Sequence, residues 1–254
     1  MQITLKITPL MILLLGSFYL NAAPDAAIKK AVMNTTRPGV DILRDVDRKP
    51  LEVLNFFELR PGMTVLDLYA TAGYYTELLS HIVGSEGKVI SHNSHGYRKF
   101  VGQKINDRYL NGRLSNVQKY FNHPRDVKLQ SDSLDMVLMA LLYHDLYVTN
   151  ATNLITAKDR QHLIRQVFLA IKPGGTLGVV DHAAPRGTGA ESADKWHRIS
   201  ATIVTKELVD VGFEFVDESK ALRNRTDPHD ISIFDNKVRR KTDRFILKFR
   251  KPNS

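Results

Sequence analysis

The sequence predicts a Rossmann-like, doubly wound α/β domain with a mostly parallel seven-stranded sheet and an antiparallel edge strand. Short apolar runs alternate with segments whose apolar residues recur at helical spacing, the pattern of strands covered by helices on both faces. Glycine and proline turns separate these segments. A chain of 254 residues with 43% hydrophobic and 25% charged residues is ordinary for one globular domain.

Strands are predicted where a short apolar run is bounded by turn residues. In chain order, these runs lie at residues 65–68, 88–91, 116–121, 134–142, 176–183, 213–222 and 243–251. The last two are not separated by an obvious helix, so we expect them to pair antiparallel at one edge of the sheet.

Helices are predicted from apolar residues spaced three and four apart and from their start and stop signals. Pro50 suits the first turn of one helix, and Gly84 closes the next. The predicted helices cover residues 26–33, 51–59, 73–83, 97–110, 157–171 and 205–211, with Arg37-Pro38-Gly39, Pro173-Gly174-Gly175 and Gly212 as further stop signals.

The N-terminal residues are predicted to form a separate unit. Residues 1–6 carry one lysine, the run that follows is apolar, and residues 21–27 are small or polar, an order typical of a secretory signal peptide. We therefore expect a signal peptide (1–22, cleaved near Ala22), an N-terminal extension (23–49) and the α/β domain (50–251) of a periplasmic or secreted protein. An uncleaved membrane anchor is the alternative interpretation.

The amino-acid composition excludes some kinds of site and suggests others. The sequence has no cysteine, which excludes disulfides, thiolate chemistry and cysteine-ligated zinc. The net charge is +9, and residues 220–251 hold eleven Lys/Arg against four Asp. Two interpretations of this basic region stay open: contact with an anionic membrane or cell-wall surface, or a solvated face with a charged edge strand. It lacks regular aromatic interleaving, so specific nucleic-acid binding is not predicted.

Polar residues follow four of the predicted strands. They are residues 67–73, His92-Asn93, Tyr143-His144-Asp145 and Asp181-His182. Ligands of doubly wound sheets bind at the carboxyl ends of the strands, near the point where strand order reverses. The sequence therefore predicts a pocket on this rim of the sheet.

Four segments carry a resemblance to a known family: VLDLYATAG, GKVISHN, LDMVLMALL and IKPGGTLGVVD. In this order they resemble class I S-adenosylmethionine-dependent methyltransferases, and the resemblance covers about residues 50–251. Through GYYTELL, YHDLY and KTDRFILKFRKP the chain is most similar to a group of exported bacterial predicted methyltransferases. The resemblance implies S-adenosylmethionine as cofactor and methyl transfer to a small acceptor.

The resemblance also implies which residues bind the cofactor. Asp67 would help to hold its methionine end, and Gly73 would allow close backbone approach. Tyr69 and Thr71 stand where the family commonly has glycine, and a β-branched residue at position 71 is stiff and disfavours positive φ. Asn93 stands where an acid usually accepts hydrogen bonds from the ribose hydroxyls. The cofactor site therefore looks weakened.

His144 and Asp145, with His182, are the predicted catalytic residues. A histidine at the end of the fourth strand would remove the acceptor's proton, oriented by a carboxylate. Alternatively His144 is structural, or Asp145, Asp181 and His182 bind a divalent metal; no metal is our preferred interpretation.

Two further clusters have open roles. Residues 196–198 form either a lid over the acceptor or an ordinary helix start, and Arg44, Asp47 and Arg48 either close the pocket or form surface ion pairs.

The predicted function is methyl transfer. The rival is a non-catalytic binding module that kept the fold, favoured by the altered loop and by export away from a cofactor made in the cytoplasm.

Overall fold

The computed structural model describes residues 24–96, 101–149 and 155–253. Its centre is a seven-stranded sheet in the order β3-β2-β1-β4-β5-β7-β6. The strands are β1 Thr64–Leu68, β2 Lys88–Asn93, β3 Val117–Phe121, β4 Leu134–Ala140, β5 Ile171–His182, β6 Glu214–Ser219 and β7 Arg244–Arg250. The strands β1 to β5 pair in parallel, and β7 lies antiparallel between β5 and β6. The predicted fold is confirmed, including the antiparallel pairing at one edge.

Helices cover both faces of the sheet. In the described residues they are α1 Pro24–Val32, α2 Gly39–Ile42, α3 Asp45–Arg48, α4 Pro50–Phe56, α5 Tyr74–Val83, α6 Gln103–Arg108, α7 Ala157–Ala170, α8 Glu191–Trp196 and α9 Ala201–Val211. Among these described helices, none is long and apolar enough to cross a membrane.

Side chains of β4 alternate between two buried clusters. Val137 and Met139 pack in one cluster, and Met136 and Leu138 pack in the other on the opposite face. Successive side chains of a strand point to opposite faces, so an unbroken apolar run is what a strand buried on both faces requires. The run LDMVLMALL therefore marks the centre of the sheet.

Local sequence explains where the later helices begin. Thr156 and Asp159 form a reciprocal capping box at the start of α7. The hydroxyl of Ser200 accepts a hydrogen bond from the amide of Thr202, so α9 begins at Ala201 and not at the predicted residue 205. Of the helix predicted at 97–110, residues 97–100 lie outside the described residues, Val101 is helical, and α6 covers Gln103–Arg108.

The predicted Pro173-Gly174-Gly175 turn lies inside the span of β5. The pairing of β4 with β5 shifts register there, from Leu134 opposite Ile171 to Met136 opposite Thr176. Gly174 has φ +76°, which glycine adopts readily. The turn signal was correct, but it marks an irregularity within the strand.

The N-terminal extension packs onto the sheet as part of the same body. Helix α1 contacts α4 and α5. Arg37 makes two hydrogen bonds of 2.8 Å to the carboxylate of Asp45, which also accepts a 2.6 Å hydrogen bond from the Tyr74 hydroxyl in α5. Since α3 is thereby fastened beside the loop that follows β1, the extension contributes to the rim where we expect a ligand.

Candidate functional site

The strand order reverses between β1 and β4, and the loop from β1 to α5 lies at this point. Tyr69, Thr71 and Gly73 all have positive φ, at 59°, 50° and 80°. Such angles cost about 1–2 kcal/mol for residues other than glycine. Tyr69 and Thr71 thus have backbone angles that glycine adopts more readily, and the loop keeps its shape at a cost in strain.

Asn93 holds this loop in place. Its side-chain oxygen accepts a 2.8 Å hydrogen bond from the amide of Thr71, and its side-chain nitrogen donates a 3.1 Å bond to the carbonyl of the same residue. Asn93 is also buried. The amide predicted to hold a ribose therefore clamps the loop backbone, and the ribose role remains a prediction.

Asp67 lies at the base of the loop, near the end of β1. Its carboxylate accepts a 2.6 Å hydrogen bond from the hydroxyl of Thr76 in α5. Burial raises the pKa of Asp67 to about 6, against the lowering effect of that hydrogen bond and of Arg48. A cavity of about 100 Å³ is lined by Asp67, Arg48, Thr71 and neighbouring residues of the loop. Asp67 is therefore a buried carboxylate poised to ionise beside a small cavity.

Arg108 covers the outer side of the loop. It donates hydrogen bonds to the carbonyl of Ala72, to Glu77 and, at 2.7 Å, to Asp41 in α2. A Cβ atom added to Gly73 would lie 2.6 Å from Cδ of Arg108, so this arginine packs directly on the glycine. The group that approaches Gly73 in this structure is Arg108, and the predicted approach of the cofactor stays a prediction.

The predicted catalytic residues meet at the ends of β4 and β5. Nδ1 of His144 lies 2.8 Å from Oδ1 of Asp181, whose other carboxylate oxygen accepts a 2.8 Å bond from the His144 amide. On the opposite side of the ring, Nε2 of His144 lies 3.3 Å from Asp145. His197 adds a third neighbour, with its Nδ1 3.7 Å from Asp145.

This arrangement determines the protonation of His144. Burial tends to lower the pKa of His144, but Asp181 and Asp145 outweigh burial and raise it to about 9. At neutral pH the ring is therefore an imidazolium between two carboxylates. A general base must be unprotonated to accept a proton, so this charge state argues against the predicted base role at neutral pH.

The structure also changes the alternative metal set. Asp181 is engaged by His144 and by the amide of His182, and Nδ1 of His182 lies 2.6 Å from the Thr242 hydroxyl. Among the described residues, the group that could hold a metal is instead His144, Asp145 and His197, whose ligand atoms lie within 4.8 Å of one another. The predicted trio of Asp145, Asp181 and His182 is not gathered in this way.

A cavity of about 800 Å³ opens beside these residues. His182 and Ala72 line this cavity, whereas His144 and Asp145 do not. Burial, followed by the charge of His144, lowers the pKa of His182 well below its usual value, so this ring is neutral. Arg48 and Leu141 line both this cavity and the smaller one at Asp67, which makes the two spaces neighbours.

Residues 196–198 lie at the end of α8 and directly after it. Trp196 ends α8, so the segment is not a helix start. Arg198 is fully buried and makes two hydrogen bonds to Asp227, at 2.8 and 2.9 Å, which makes it a structural residue. His197 has φ 54° and packs its ring against His144, at 5.7 Å between ring centroids. Its neighbours, His144, Asp145 and Phe234, are distant in sequence, so no local pattern indicated its place.

Comparison with known proteins identifies methyltransferases that resemble parts of this chain. Residues 50–101 match the model of the family "Protein-L-isoaspartate(D-aspartate) O-methyltransferase (PCMT)". The ubiquinone/menaquinone biosynthesis C-methyltransferase UbiE of Shewanella sp. (strain ANA-3) is 29% identical over 128 residues, 50% of this chain and 45% of that protein. The chain thus spans about half the length of the curated relatives it matches.

Solved structures share the fold. An S-adenosylmethionine-dependent methyltransferase from Aquifex aeolicus is similar with a TM-score of 0.59 and 20% identity, covering 89% of this chain and 98% of that one. The [4+2]-cyclase SpnF has a TM-score of 0.53 and 16% identity, covering 87% and 86%. The partial family match, the partial relatives and the solved structures are thus all similarities to S-adenosylmethionine-dependent methyltransferases, and the solved structures show a shared fold. The cyclase illustrates that one fold hosts more than one reaction.

The residues at the loop fit the methionine end of S-adenosylmethionine. Asp67 offers a carboxylate for an ammonium group, and Arg48 brings a cation to the same small cavity for a carboxylate. At the ribose end the fit is poorer, because the Asn93 amide is already bonded to Thr71. The chain therefore presents a recognisable site for the amino-acid half of the cofactor.

Proposed function

We propose that this protein transfers a methyl group from S-adenosylmethionine to a small acceptor held in the 800 Å³ cavity. One observation carries the proposal: the loop cavity at Asp67 and the large cavity share Arg48 and Leu141. A cofactor bound by its methionine end at Asp67 would supply an activated methyl group next to the acceptor space. Bringing the two reactants together in fixed orientation is the main contribution that we assign to the protein.

In this proposal each residue at the site has a limited role. Ionised Asp67 attracts the ammonium group of the methionine end, and Arg48 attracts its carboxylate. His182 is neutral and lines the acceptor cavity, so its ring can accept a hydrogen bond from an acceptor hydroxyl or amine and orient it. His144, charged and enclosed, positions the β4 and β5 ends through Asp181 and Asp145.

Calorimetric titration of the purified protein with S-adenosylmethionine tests the proposal. We expect binding that Asp67→Asn weakens by at least tenfold, because the variant cannot carry the charge that faces the ammonium group. Asp210→Asn is the matched control, since Asp210 lies on the exposed side of α9 and pairs only with Lys206 among the described residues. Absence of binding by the wild-type protein at millimolar cofactor would overturn the proposal.

The rival function, a binding module without catalysis, has its own support. Thr71 strains the loop, Asn93 is occupied by the loop backbone, and His144 is protonated. These are features of a methyltransferase site that has lost chemistry while keeping the fold. A protein that binds the cofactor product S-adenosylhomocysteine or an acceptor, but yields no methylated product in any acceptor screen, would fit this alternative.

We also propose that the protein is exported and belongs to an exported branch of the family. The support is the order of charged, apolar and small residues in 1–23, which lie outside the described residues. Mass spectrometry of the native protein is expected to find a mature chain that begins near Ala23. An intact Met1 in a cytosolic fraction would contradict export.

A further inference from the structure

The wall of the 800 Å³ cavity is unusually basic. Eight Arg or Lys residues line it against three Asp residues. The basic residues are Arg44, Arg48, Lys104, Arg108, Arg113, Arg239, Arg240 and Arg244. Cations gathered around one concave space repel each other unless acidic groups or a ligand neutralise them, so the partners of each arginine decide what the cavity attracts.

Some of these charges are neutralised within the protein. Arg108 pairs with Asp41 and with Glu77, and Arg113 pairs with the same Glu77 at 2.6 Å. Arg37, which lies near the wall over the Tyr74 ring, is matched by Asp45. These groups form closed ion pairs and leave no excess charge for a ligand.

Five arginines of the wall have no carboxylate partner within 4.0 Å among the described residues: Arg44, Arg48, Arg239, Arg240 and Arg244. Over residues 24–96, 101–149 and 155–253, no carboxylate oxygen lies within 4.0 Å of the guanidinium nitrogens of Arg44, Arg48 or Arg244. Arg44 and Arg48 instead lie over the ring of Tyr74, at 5.7 and 4.4 Å from its centroid. Arg244 is buried, and its guanidinium donates only to the backbone carbonyls of Asp47 and Thr242 in this part of the chain.

The missing counter-charges affect the pKa values of two of these arginines. Burial, reinforced by the charge of Arg48, lowers the pKa of Arg44 and of Arg244. A buried cation without a counter-charge is unfavourable, and a bound anion would relieve the repulsion. The arginines are held by aromatic rings and backbone carbonyls, contacts that fix a guanidinium in place without cancelling its charge.

The cluster is assembled from both ends of the chain. Arg44 and Arg48 belong to the N-terminal extension, whereas Arg239, Arg240 and Arg244 belong to the basic region near the C-terminus. Part of the charge that the sequence suggested for an outer surface therefore lines an inner cavity. Ala72 of the cofactor loop and His182 form other parts of the same wall.

We propose that this cavity binds a small ligand through its carboxylate or phosphate oxyanion, clamped by Arg44, Arg240 and Arg244. Guanidinium groups bind such planar or tetrahedral oxyanions with directed, charge-assisted hydrogen bonds. Resting on the proposed function, this ligand is the methyl acceptor, because the cavity adjoins the loop at Asp67. The acceptor is then an anionic small molecule, not a neutral apolar one.

Direct binding tests the proposal without any methyl transfer. The probes are citrate and inorganic pyrophosphate, each titrated calorimetrically into the purified protein in a buffer free of phosphate and carboxylate. Wild-type protein is expected to bind at least one probe with 1:1 stoichiometry, and Arg44→Gln/Arg240→Gln is expected to raise its Kd by roughly tenfold or more. The matched control is Lys158→Gln/Arg165→Gln, which removes the same charge from exposed positions on α7.

The outcomes separate this inference from the proposed function. Anion binding without any S-adenosylmethionine binding would uphold the anion site and refute methyl transfer. Cofactor binding without anion binding at millimolar probe would overturn the anion site alone. Equal weakening in the cavity variant and the control variant would also overturn it, since the effect would then be net charge. Binding to anionic phosphatidylglycerol vesicles, with no response to citrate or pyrophosphate, would assign the cluster to a surface and refute the small-ligand proposal.

Discussion

Asp181 in β5 holds His144 at two points, with its two carboxylate oxygens 2.8 Å from the ring Nδ1 and from the backbone amide of the histidine. The contact joins the ends of two neighbouring strands across the point where the sheet meets the cavity wall. Both residues are buried, and Asp145 approaches the other ring nitrogen. The pair is thus a buried, charged link that positions the rim of the site.

This link predicts a pH dependence of stability. The folded-state pKa of His144, about 9, lies above the usual value of 6.5, so its contribution to stability is fully present below pH 6.5 and is lost as pH rises through 9. The free energy of unfolding should fall by up to about 3 kcal/mol over that window. Urea denaturation at pH 6.5, 8 and 9.5 measures it. His144→Gln should show a flatter profile, and parallel profiles in both proteins would contradict the assignment.

The pKa of Asp67 predicts that cofactor binding becomes tighter as pH rises, whereas the contribution of His144 to stability falls as pH rises. Its pKa of about 6 leaves the carboxyl mostly neutral at pH 5 and mostly ionised at pH 7. Only the ionised form attracts an ammonium group, so the association constant for S-adenosylmethionine should rise about tenfold between these values. Asp67→Asn should bind weakly at both. A wild-type affinity that is constant over this range would show that Asp67 does not contact the ammonium group.

The sheet could be predicted from sequence because its signals are local. The apolar run at 134–142 could only be a strand buried on both faces, and it forms the central strand β4. The placement of polar residues at strand ends likewise followed from topology: Asp67 lies in β1, His144 follows β4 and His182 ends β5. The rule that ligands bind at the carboxyl ends of parallel strands predicts a site at this edge of the sheet, and that site stays a prediction.

What could not be predicted depends on contacts between residues far apart in the chain. The charge of His144 follows from Asp181, 37 residues away, and no spacing rule joins the two. Arg198 belongs to the segment predicted as either a lid or a helix start, but it is fully buried and paired with Asp227, 29 residues away. The basic cavity wall combines arginines near position 44 with arginines near position 240, and no sequence pattern joins positions so far apart.

Asn93 provides a test of loop architecture. Asn93→Asp would restore the acid typical of the family, but it would also remove the donor to the Thr71 carbonyl and place a carboxylate oxygen against it. We expect a loss of about 1–3 kcal/mol in the free energy of unfolding and no gain in cofactor affinity. Chemical denaturation and calorimetric titration of the same preparation measure both. Tighter cofactor binding by the variant would show that position 93 faces the ribose after all.

Thr71 gives the most direct test of strain in the cofactor loop. Its φ of 50° is unfavourable for a β-branched residue, and glycine adopts this angle without cost. Thr71→Gly should therefore stabilise the folded protein and tighten S-adenosylmethionine binding, each by about 1 kcal/mol, since relief of strain exceeds the extra entropy of glycine in the unfolded chain. Ala72→Gly is the control, because Ala72 is not among the positive-φ residues and its replacement should destabilise by about 0.5–1 kcal/mol. Thermal unfolding and titration calorimetry on both variants measure the difference. Weaker cofactor binding by Thr71→Gly, at unchanged stability, would mean that the threonine side chain contacts the ligand and that its backbone angle is not the source of strain.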